Sequence, residues 1–566
     1  MSSLPARVET GWKPVHVRGR PPALYRIPIT LSLLGLFMIA IQAGQPLVGF
    51  ASMMAVLATA TALSLRTMSR RYAPAAILRD QGDAKMANGR HLEARAFYER
   101  ALAIVQRELP PSSPEVLLCT YNLAVVSSII GDHERAANCL DVLLQGLGGR
   151  VPGPWSGRIA WLLRRVSRHH SLHGRHPLAI EACETAIGLV GDAPGADDCT
   201  VRSLVNDLGW AHHRAGDLSA AREHFAEALS IHEQYRDIAI ALATPQRGRH
   251  DVERSPYRAP SPTAASTSGG LDRAVAHSLV GLGWTALEQG RLAESDAAFG
   301  RALLMSNGSS RAEDVSLRSE SLRGRAAVAF ERGAYLDAER GYRRAAEALR
   351  PDAQRQAIAL LLDRAWLACA RGEDPRAEGL LVEAERRLQS KASLASLRGA
   401  LHVTWAELKR RQCDFKAAHR HAQRAVLLTT EALAEHPRRA SVLAVAARIH
   451  TARSEHAAAE RCARAALQIL RTRGLGEFHP RFSEVYLALA ELQVARGHWG
   501  AAEREFELAL SEREARVGPE HPALDEVLEG LAGVYEATQR TREAAGVYAR
   551  LDAIRGVTRD ETSVSA

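Results

Sequence analysis

The sequence predicts an all-α protein: an α-solenoid of about eleven helix-turn-helix repeats that follows an N-terminal transmembrane hairpin. Three observations predict it. The good helix formers Ala, Leu and Arg dominate the 566 residues, and no segment alternates apolar and polar residues as a strand would. One pattern of small and bulky residues recurs down the chain, and residues 27–65, which precede the first repeat, carry no charge.

The apolar segment divides at Gly44-Gln45-Pro46 into residues 27–43 and 47–65. At about 1.5 Å per helical residue, each part is just long enough to cross a hydrocarbon core of about 30 Å. Both outer flanks are basic, so the positive-inside rule places both in the cytoplasm. We therefore expect a basic tail at 1–26, a hairpin embedded in the membrane at 27–66, and repeats on the cytoplasmic face of a bacterial inner membrane.

Three other interpretations of this apolar segment compete with the hairpin. A signal peptide has one short apolar stretch and a cleavage site, whereas this segment is doubled and too long. A hairpin buried in a soluble protein stays open, although an uncharged run of this length is unusual for one. A single span also stays open, with the first segment lying at the membrane interface; this topology would export the repeats.

Charge and cysteine usage exclude some partners. The formal net charge is +9, but residues 1–71 hold eight Lys or Arg and one acid, which leaves +2 for the rest of the chain. A near-neutral array lacks the basic face that neutralises phosphates, so we expect no nucleic-acid partner. The seven Cys form no CxxC pair, and such a scattered set favours a reducing compartment.

The repeat pattern consists of a small residue, an Ala twelve positions later, a bulky residue four further on and another Ala three beyond it. In the first unit these are Gly82, Ala94, Tyr98 and Ala101. Two antiparallel helices approach closely only where side chains are small, and the bulky residue then fills the gap against the next unit. The small residues are Gly82, Ala124, Ser167, Gly209, Gly283, Ala326, Ala365, Ala406, Ala447, Ala490 and Ala532.

These residues resemble the tetratricopeptide repeat, which has a small residue in its helix A and then Ala, an aromatic and Ala in its helix B. Most units here are 39–43 residues apart, and this longer version is similar to the repeats of kinesin light chains and of related bacterial proteins. The segments 113–116, 478–480 and 516–522 look like that family's inter-repeat segments. A HEAT-like array is the alternative, because the Tyr expected in helix A occurs only as Tyr535.

Composition sets the remaining boundaries. We expect repeats 1–4 at 75–242 and repeats 5–11 at 271–556. Between them lies a Pro-, Ser- and Gly-rich insertion at 243–270, which cannot bury enough apolar surface to order itself. A disordered tail is expected at 557–566. The insertion either lengthens a loop of one superhelix or separates two shorter arrays.

Five residues are candidates for partner binding. Trp210, Trp284 and Trp366 each follow the small residue of helix A, a position that in the resembled family faces the concave groove. Trp is enriched at binding hot spots; packing between adjacent helices A is the equally weighted alternative. Asn122 and Asp207 resemble polar groove residues of kinesin-light-chain repeats.

Catalytic chemistry is not predicted. The sequence contains no GxxxxGK[ST], GxSxG or HExxH motif, so we expect no enzyme, cofactor or metal. The strongest exception is His169, His170, His173 and His176, of which two lie one helical turn apart. No carboxylate or Cys completes that set at close spacing, so a solvated polar turn is the preferred interpretation.

The resulting hypothesis is a membrane-anchored scaffold that binds a protein or peptide partner in a concave groove; the sequence leaves the oligomeric state open. One alternative is a metal-dependent enzyme that uses the His169–His176 cluster. Another is an assembly factor facing an exported or organellar compartment.

Overall fold

The computed structural model describes most of the repeat region. The described residues are 73–107, 109–147, 153–172, 174–191, 198–243, 264–306, 312–389, 395–433, 436–473 and 479–563. The predicted tail at 1–26 and hairpin at 27–66 lie outside them. Within the described ranges, no helix combines the length and the apolar character needed to cross a membrane.

The described residues form twenty-two α-helices and one short 3-10 helix at Pro522–Leu524, with no strand among them. The helices are α1 (73–87), α2 (His91–Gln106), α3 (Pro114–Ile130), α4 (His133–Gly146), α5 (Gly153–Leu172), α6 (His176–Gly191), α7 (Asp198–Ala215), α8 (Leu218–Ala243), α9 (Ala264–Glu288), α10 (Leu292–Ser306), α11 (Ala312–Glu331), α12 (Tyr335–Glu347), α13 (Gln354–Ala370), α14 (Asp374–Leu388), α15 (Ala395–Arg411), α16 (Phe415–Ala432), α17 (Pro437–Ala452), α18 (His456–Thr472), α19 (Pro480–Ala495), α20 (Trp499–Val517), α21 (Asp525–Ala537) and α22 (Thr541–Ser563).

The helices form eleven consecutive pairs, as the repeat pattern predicts. The odd-numbered helix of each pair (helix A) carries the small residue, and the even-numbered helix (helix B) carries the residue twelve positions later. Both positions are buried in all eleven pairs. Ser295, the one departure from Ala in helix B, donates its hydroxyl to the Gly283 carbonyl at 2.8 Å and so satisfies its polar atom inside the contact.

A left-handed residue ends every helix A, because the chain must reverse within about two residues. Eight of these residues are glycines: Gly89, Gly131, Gly174, Gly216, Gly290, Gly333, Gly372 and Gly497. Repeats 8, 9 and 11 carry Cys413, Ser454 and Gln539 at the same place, with φ near +60°. A side chain in that conformation costs about 1–2 kcal/mol, so packing around these three turns must offset it.

In repeats 4 and 5 the bulky residue of helix B packs between two glycines from two successive helices A. A Cβ added at Gly209 would lie 2.8 Å from the Phe225 ring, and one added at Gly281 of the next pair would also collide with that ring. Phe299 lies in the same way between Gly283 and Gly324. The predicted filling of the gap between units is confirmed, and the glycines are required because the ring occupies the space of their missing side chains.

By its contacts the chain divides into two compact units, Met1–Val166 and Ser167–Ala566, with the boundary inside α5. In the second unit, helix A of each pair packs against helix A of the next from α7 to α21. These helices therefore form one layer, and the helices B cover it on the other side.

The second unit curves until repeats 9–11 meet repeats 4–6. Three of its helices A begin with the dipeptides His436-Pro437, His479-Pro480 and His521-Pro522, which we call the His–Pro caps. In each, the His Nδ1 accepts a hydrogen bond from the backbone N–H two residues later, at 2.9–3.3 Å. Pro suits the first helical position because that position needs no N–H donor.

Each His–Pro cap docks against a turn five repeats earlier. His436 lies 6.3 Å from His213 in repeat 4, measured between ring centroids. The Nε2–H of His479 donates to the Glu288 carbonyl in repeat 5. His521 contacts Gly333 in repeat 6, where an added Cβ would collide with its ring.

Glu288 forms the charged centre of this contact. Its carboxylate is buried and accepts from Arg438 at 2.7 Å and from Arg481 at 2.5 Å. Burial alone would raise the pKa of Glu288, but the two guanidinium groups hold it well below the ordinary value. The same burial lowers the pKa of His479 to about 4, so this ring is neutral at neutral pH.

Two helix ends differ from the boundaries that composition predicts. α9 begins at Ala264, inside the predicted insertion at 243–270, and residues 244–263 lie outside the described part. α22 continues to Ser563, into the predicted tail at 557–566. Extending an existing helix requires no new nucleus, so polar sequence can stay helical beyond the packed repeat.

Candidate partner-binding groove

Helix A of every repeat presents one residue directly after its small residue. We call these the inner positions; in the second unit they are Arg168, Trp210, Trp284, Ala327, Trp366, Glu407, Arg448, Glu491 and Gly533. Inner positions of neighbouring repeats can touch, since Arg448 and Glu491 are hydrogen-bonded. These side chains therefore succeed one another along the layer of helices A, where the sequence predicts a concave groove.

Trp210 is half-buried among aromatic and basic groups. Its ring packs edge-on against Phe225 at 5.2 Å and near His213 at 5.5 Å. The guanidinium of Arg214 lies 5.6 Å from the ring centroid, within cation–π range. The indole Nε1–H is shielded from solvent and has no hydrogen-bond partner among the described residues.

Trp284 is more deeply placed, with 7 % of its surface exposed. It packs edge-on against Phe299 at 5.3 Å, and the Arg323 guanidinium lies 4.8 Å from its ring centroid. Its Nε1–H also has no hydrogen-bond partner. Trp366 is half-buried. The three indoles thus share a register but differ in exposure.

Two arginines beside these rings are neutralised by acids. Arg168 forms two hydrogen bonds to Asp207, at 2.9 and 3.1 Å. Arg323 bonds Asp363 at 2.6 Å and Glu320 at 3.0 Å. Parallel N–H···O bonds of this kind are the stronger form of ion pair.

Two further arginines, Arg214 and Arg355, form no ion pair among the described residues, although the charges of Asp207 and Glu320 act on them from beyond ion-pair distance. Arg214 is half-buried and donates to the Ser171 hydroxyl at 2.8 Å; Arg355 forms no ion pair. Burial, and after it the charge of Arg355, lower the pKa of Arg214 to about 10. Arg355 is accessible to solvent, yet surrounding protein lowers its pKa too, as expected for a side chain inside a groove.

Repeats 8–10 place charged residues at the same register. Arg448 donates to the two oxygens of Glu491 at 2.7 and 2.9 Å and also bonds Glu526 of repeat 11. Glu407 is bonded by Arg410 at 2.7 and 2.9 Å. Burial alone would lower the pKa of Arg448, but the surrounding carboxylates raise it well above the ordinary value. We call these five residues the charge ladder.

An open cavity of about 500 Å³ lies at one end of the charge ladder. It is lined by Arg410, Arg411, Cys413, Phe415, Arg448, Thr451, Ala452 and Glu491. Its walls are therefore the ends of helices A in repeats 8 and 9 and the turn of repeat 8.

One group of side chains in the described part lies close enough together to hold a metal ion: His419, His450 and Glu455. The cluster that the sequence singles out is arranged differently. His169 and His170 are 6.0 Å apart between ring centroids and roughly perpendicular, and His170 and His176 are buried. His173 lies outside the described residues. The structure gives the metal-dependent enzyme hypothesis no support.

Comparison with known proteins bears on this fold. Family models of the tetratricopeptide repeat match residues 74–146, 158–234 and 439–481. The chain contains tetratricopeptide repeats. The resemblance read from the small and bulky residues is therefore confirmed, and the matched segments lie in repeats 1–4 and in repeat 9.

Two solved structures are similar to this tetratricopeptide-repeat protein. The crystal structure of yeast Tom70 is 16 % identical, covers 84 % of this chain and 97 % of its own, and has a TM-score of 0.31. The structure of a Rap protein complexed with competence and sporulation factor is 9 % identical, covers 79 % and 99 %, and has a TM-score of 0.37. These TM-scores are too low to bear on how the repeats are arranged here. No curated protein matches the chain.

The five predicted partner-binding residues do not form one cluster. Asn122 is buried in α3 of the first unit. Asp207 is buried in the ion pair with Arg168, and only Trp210 among the tryptophans adjoins an unpaired charge. Contact of these residues with a partner stays a prediction.

Sequence reasoning missed Arg214, Arg355 and the charge ladder. The ladder leaves a signal, because Glu407, Arg448 and Glu491 occupy the register that Trp210 occupies earlier in the chain. The unpaired arginines leave none, since only the fold reveals which acids lie within reach of a given guanidinium.

Proposed function

We propose that this tetratricopeptide-repeat protein is a membrane-tethered adaptor that holds an acidic segment of a partner protein in the groove of repeats 4–7. The observation that carries the proposal is the pair Arg214 and Arg355, neither of which forms an ion pair among the described residues. Burial desolvates the charge of Arg214, Arg355 adds a second positive charge near it, and together they favour an anionic occupant.

The neighbouring tryptophans support the same assignment. Trp210 places its aromatic ring beside the Arg214 guanidinium. A carboxylate that bridged the two guanidinium groups would lie near an apolar wall, and desolvated charge pairs of this kind are stronger than exposed ones. Aromatic and Arg side chains are also the types that dominate binding energy at interfaces.

The membrane part of the proposal rests on residues 27–65. Their uncharged length and basic flanks favour a hairpin with both ends in the cytoplasm, which would place the groove at the cytoplasmic face of a bacterial inner membrane. Tethering would confine the search for a membrane-associated partner to two dimensions. An assembly factor in an exported compartment is the competing role, and it requires the opposite topology.

Topology separates these two roles. Single cysteines placed at residues 20 and 75 of a chain whose native Cys are replaced would be treated with an impermeant thiol reagent in intact cells. We expect both to be shielded until the membrane is permeabilised. Labelling of residue 75 alone would instead indicate a single span with exported repeats, and the adaptor role at the cytoplasmic face would be rejected.

Partner binding is tested on the full-length chain by proximity labelling. Proteins labelled by the wild type would be compared with those labelled by the double variant Arg214→Met and Arg355→Met. The matched control is Arg464→Met, which removes a positive charge from an outer helix where the side chain is 76 % exposed. We expect the double variant to lose an acidic partner that the control retains. Equal labelling by all three chains would overturn the assignment of the groove.

A further inference from the structure

Three potential metal ligands converge where repeats 8 and 9 meet. His419 lies in helix B of repeat 8 (α16), His450 near the end of helix A of repeat 9 (α17), and Glu455 caps the start of α18. One ligand atom from each lies within 4.8 Å of the other two. The imidazole planes of His419 and His450 are nearly perpendicular, with centroids 5.2 Å apart.

The donor atoms suit a cation. The Nδ1 of His419 is shielded from solvent and has no hydrogen-bond partner among the described residues. Imidazole nitrogen and carboxylate oxygen are both ligands that Zn²⁺ takes in proteins.

The same two turn positions are linked in other repeats without a third ligand at hand. His450 Nδ1 and Glu455 Oε2 are 2.6 Å apart across the turn of repeat 9. In repeat 10, His498 and Gln493 are linked in this way at 3.0 Å. A bridge across the turn therefore serves the fold by itself. What distinguishes repeat 9 is the additional imidazole of His419.

Repeat 4 provides the internal control. His212 and Asp217 occupy the same turn positions at 3.7 Å, and the His224 ring lies 5.2 Å from that of His212. The composition is that of repeat 9, two imidazoles and a carboxylate. In the described part, however, only the repeat 9 group brings three ligand atoms within reach of a single ion.

We infer that His419, His450 and Glu455 bind a transition-metal dication, with Zn²⁺ the best match to two imidazole nitrogens and one carboxylate oxygen. Tetrahedral Zn²⁺ places its ligand atoms about 3.3 Å apart, so the three side chains close by small rotations, and a water completes the set. The cation replaces the proton between His450 and Glu455. Arg453 keeps its 2.9 Å bond to the other oxygen of Glu455.

The ion would join two repeats beside the open cavity. It ties helix B of repeat 8 to the turn of repeat 9, and the cavity is lined by Thr451 and Ala452, which directly follow His450. A bound cation also adds positive charge to a wall that already contains Arg410 and Arg448. This site is separate from Arg214 and Arg355 and does not depend on the proposed adaptor role.

The test is Zn²⁺ binding to the full-length chain, purified in detergent without a polyhistidine tag and stripped of metal with chelator. Calorimetry should give one tight equivalent. We expect His419→Gln to weaken it at least tenfold and His224→Gln, the repeat 4 control, to leave it unchanged. Co²⁺ in place of Zn²⁺ should give the visible absorption of a tetrahedral N/O site in the wild type and lose it in His419→Gln.

A second variant guards against misfolding. Glu455→Gln retains a hydrogen-bonding group for His450 but removes the ligand charge, and it should weaken Zn²⁺ at least tenfold while thermal melts without metal stay near those of the wild type. Wild-type protein that binds no Zn²⁺ more tightly than millimolar would overturn the inference. So would equal weakening by His419→Gln and His224→Gln, or tight binding that survives both His419→Gln and Glu455→Gln.

Discussion

Repeats 4–7 and repeats 8–10 use one register of helix A for different purposes. The inner positions of the first block are Trp210, Trp284, Ala327 and Trp366, and unpaired arginines adjoin them. Those of the second are Glu407, Arg448 and Glu491, which with Arg410 and Glu526 form a ladder of hydrogen-bonded charges. The two blocks share the same arrangement of helices, so the side chains alone decide whether the charges at this register are paired with one another.

This difference distinguishes charged residues that stabilise the fold from charged residues that are available to bind a partner. A buried ion pair is strongly destabilised when one member is removed, because the other is left without compensation. A charge outside any ion pair leaves no opposite charge uncompensated when it is removed, so its removal should change the unfolding free energy little. The charge ladder should therefore respond to substitution as structure, and the arginines of repeats 4–7 as a binding site.

The largest effect is expected at Arg448. Arg448→Met keeps the apolar stem but leaves Glu491 without its guanidinium and Glu526 with Arg410 alone, at 3.2 Å, which should cost about 3–5 kcal/mol of unfolding free energy. Chemical denaturation of the full-length chain measures it. The double variant Arg448→Met, Glu491→Gln should recover part of the loss, and a single variant as stable as the wild type would remove the contrast between the two blocks.

The tryptophans test the contrast within repeats 4–7. Trp284→Ala opens a cavity against Phe299 and should cost about 3–5 kcal/mol of stability. Trp366→Ala, at a half-buried position, should cost distinctly less. Thermal melts of the two variants give the comparison. If Trp284→Ala leaves the melting temperature unchanged, the indole of Trp284 is not part of the core and is available for contact with a partner.

Acid should loosen the contact between repeats 4–6 and 9–11 before the charge ladder. The folded pKa values of His213, His479 and His521 are depressed, by burial first, to about 3, 4 and 4. The unfolded chain binds protons more readily, so stability is complete above pH 6.5 and falls as the pH approaches 4. Between pH 7.5 and 4.5 each ring accounts for a loss of at most about 3 kcal/mol.

The ladder should resist the same change, because Arg448 and Arg410 hold the pKa of Glu526 well below its ordinary value against the opposing effect of burial. Melting temperatures between pH 7.5 and 4.5 measure the slope. His479→Gln can still donate to the Glu288 carbonyl but does not titrate, so it should flatten the slope, whereas His498→Gln should not. An unchanged slope in His479→Gln would assign the acid sensitivity elsewhere.

The smallest effect on stability is expected at Arg214. Arg214→Met removes a charge that forms no ion pair among the described residues and loses the bond to Ser171, so the unfolding free energy should change by less than about 1 kcal/mol. Denaturation under the conditions used for Arg448→Met makes the two values comparable. A loss of several kcal/mol would show that Arg214 is neutralised within the fold and would weaken the case for an anionic partner.

Much of this fold can be predicted from the sequence, because the residues that specify one repeat lie close together in the chain. Gly283 and Ser295 lie twelve residues apart and meet within one helix pair, and the turn between them contains Gly290, so adjacent residues carry the whole unit. The Trp register was also visible, although its burial was not. Whether an indole at that register is covered depends on Phe299 and Arg323, which belong to other helices.

By itself, then, the sequence determined the helix pairs, their number and the residues at which successive pairs pack. Only the tertiary structure decided which distant repeats meet. His479-Pro480 is recognisable as the start of a helix, but its docking on Glu288, five repeats earlier, results from small rotations summed over the intervening pairs. No local pattern encodes that sum. The arginines left unpaired in the groove follow from it, because the curvature decides which acids come within reach.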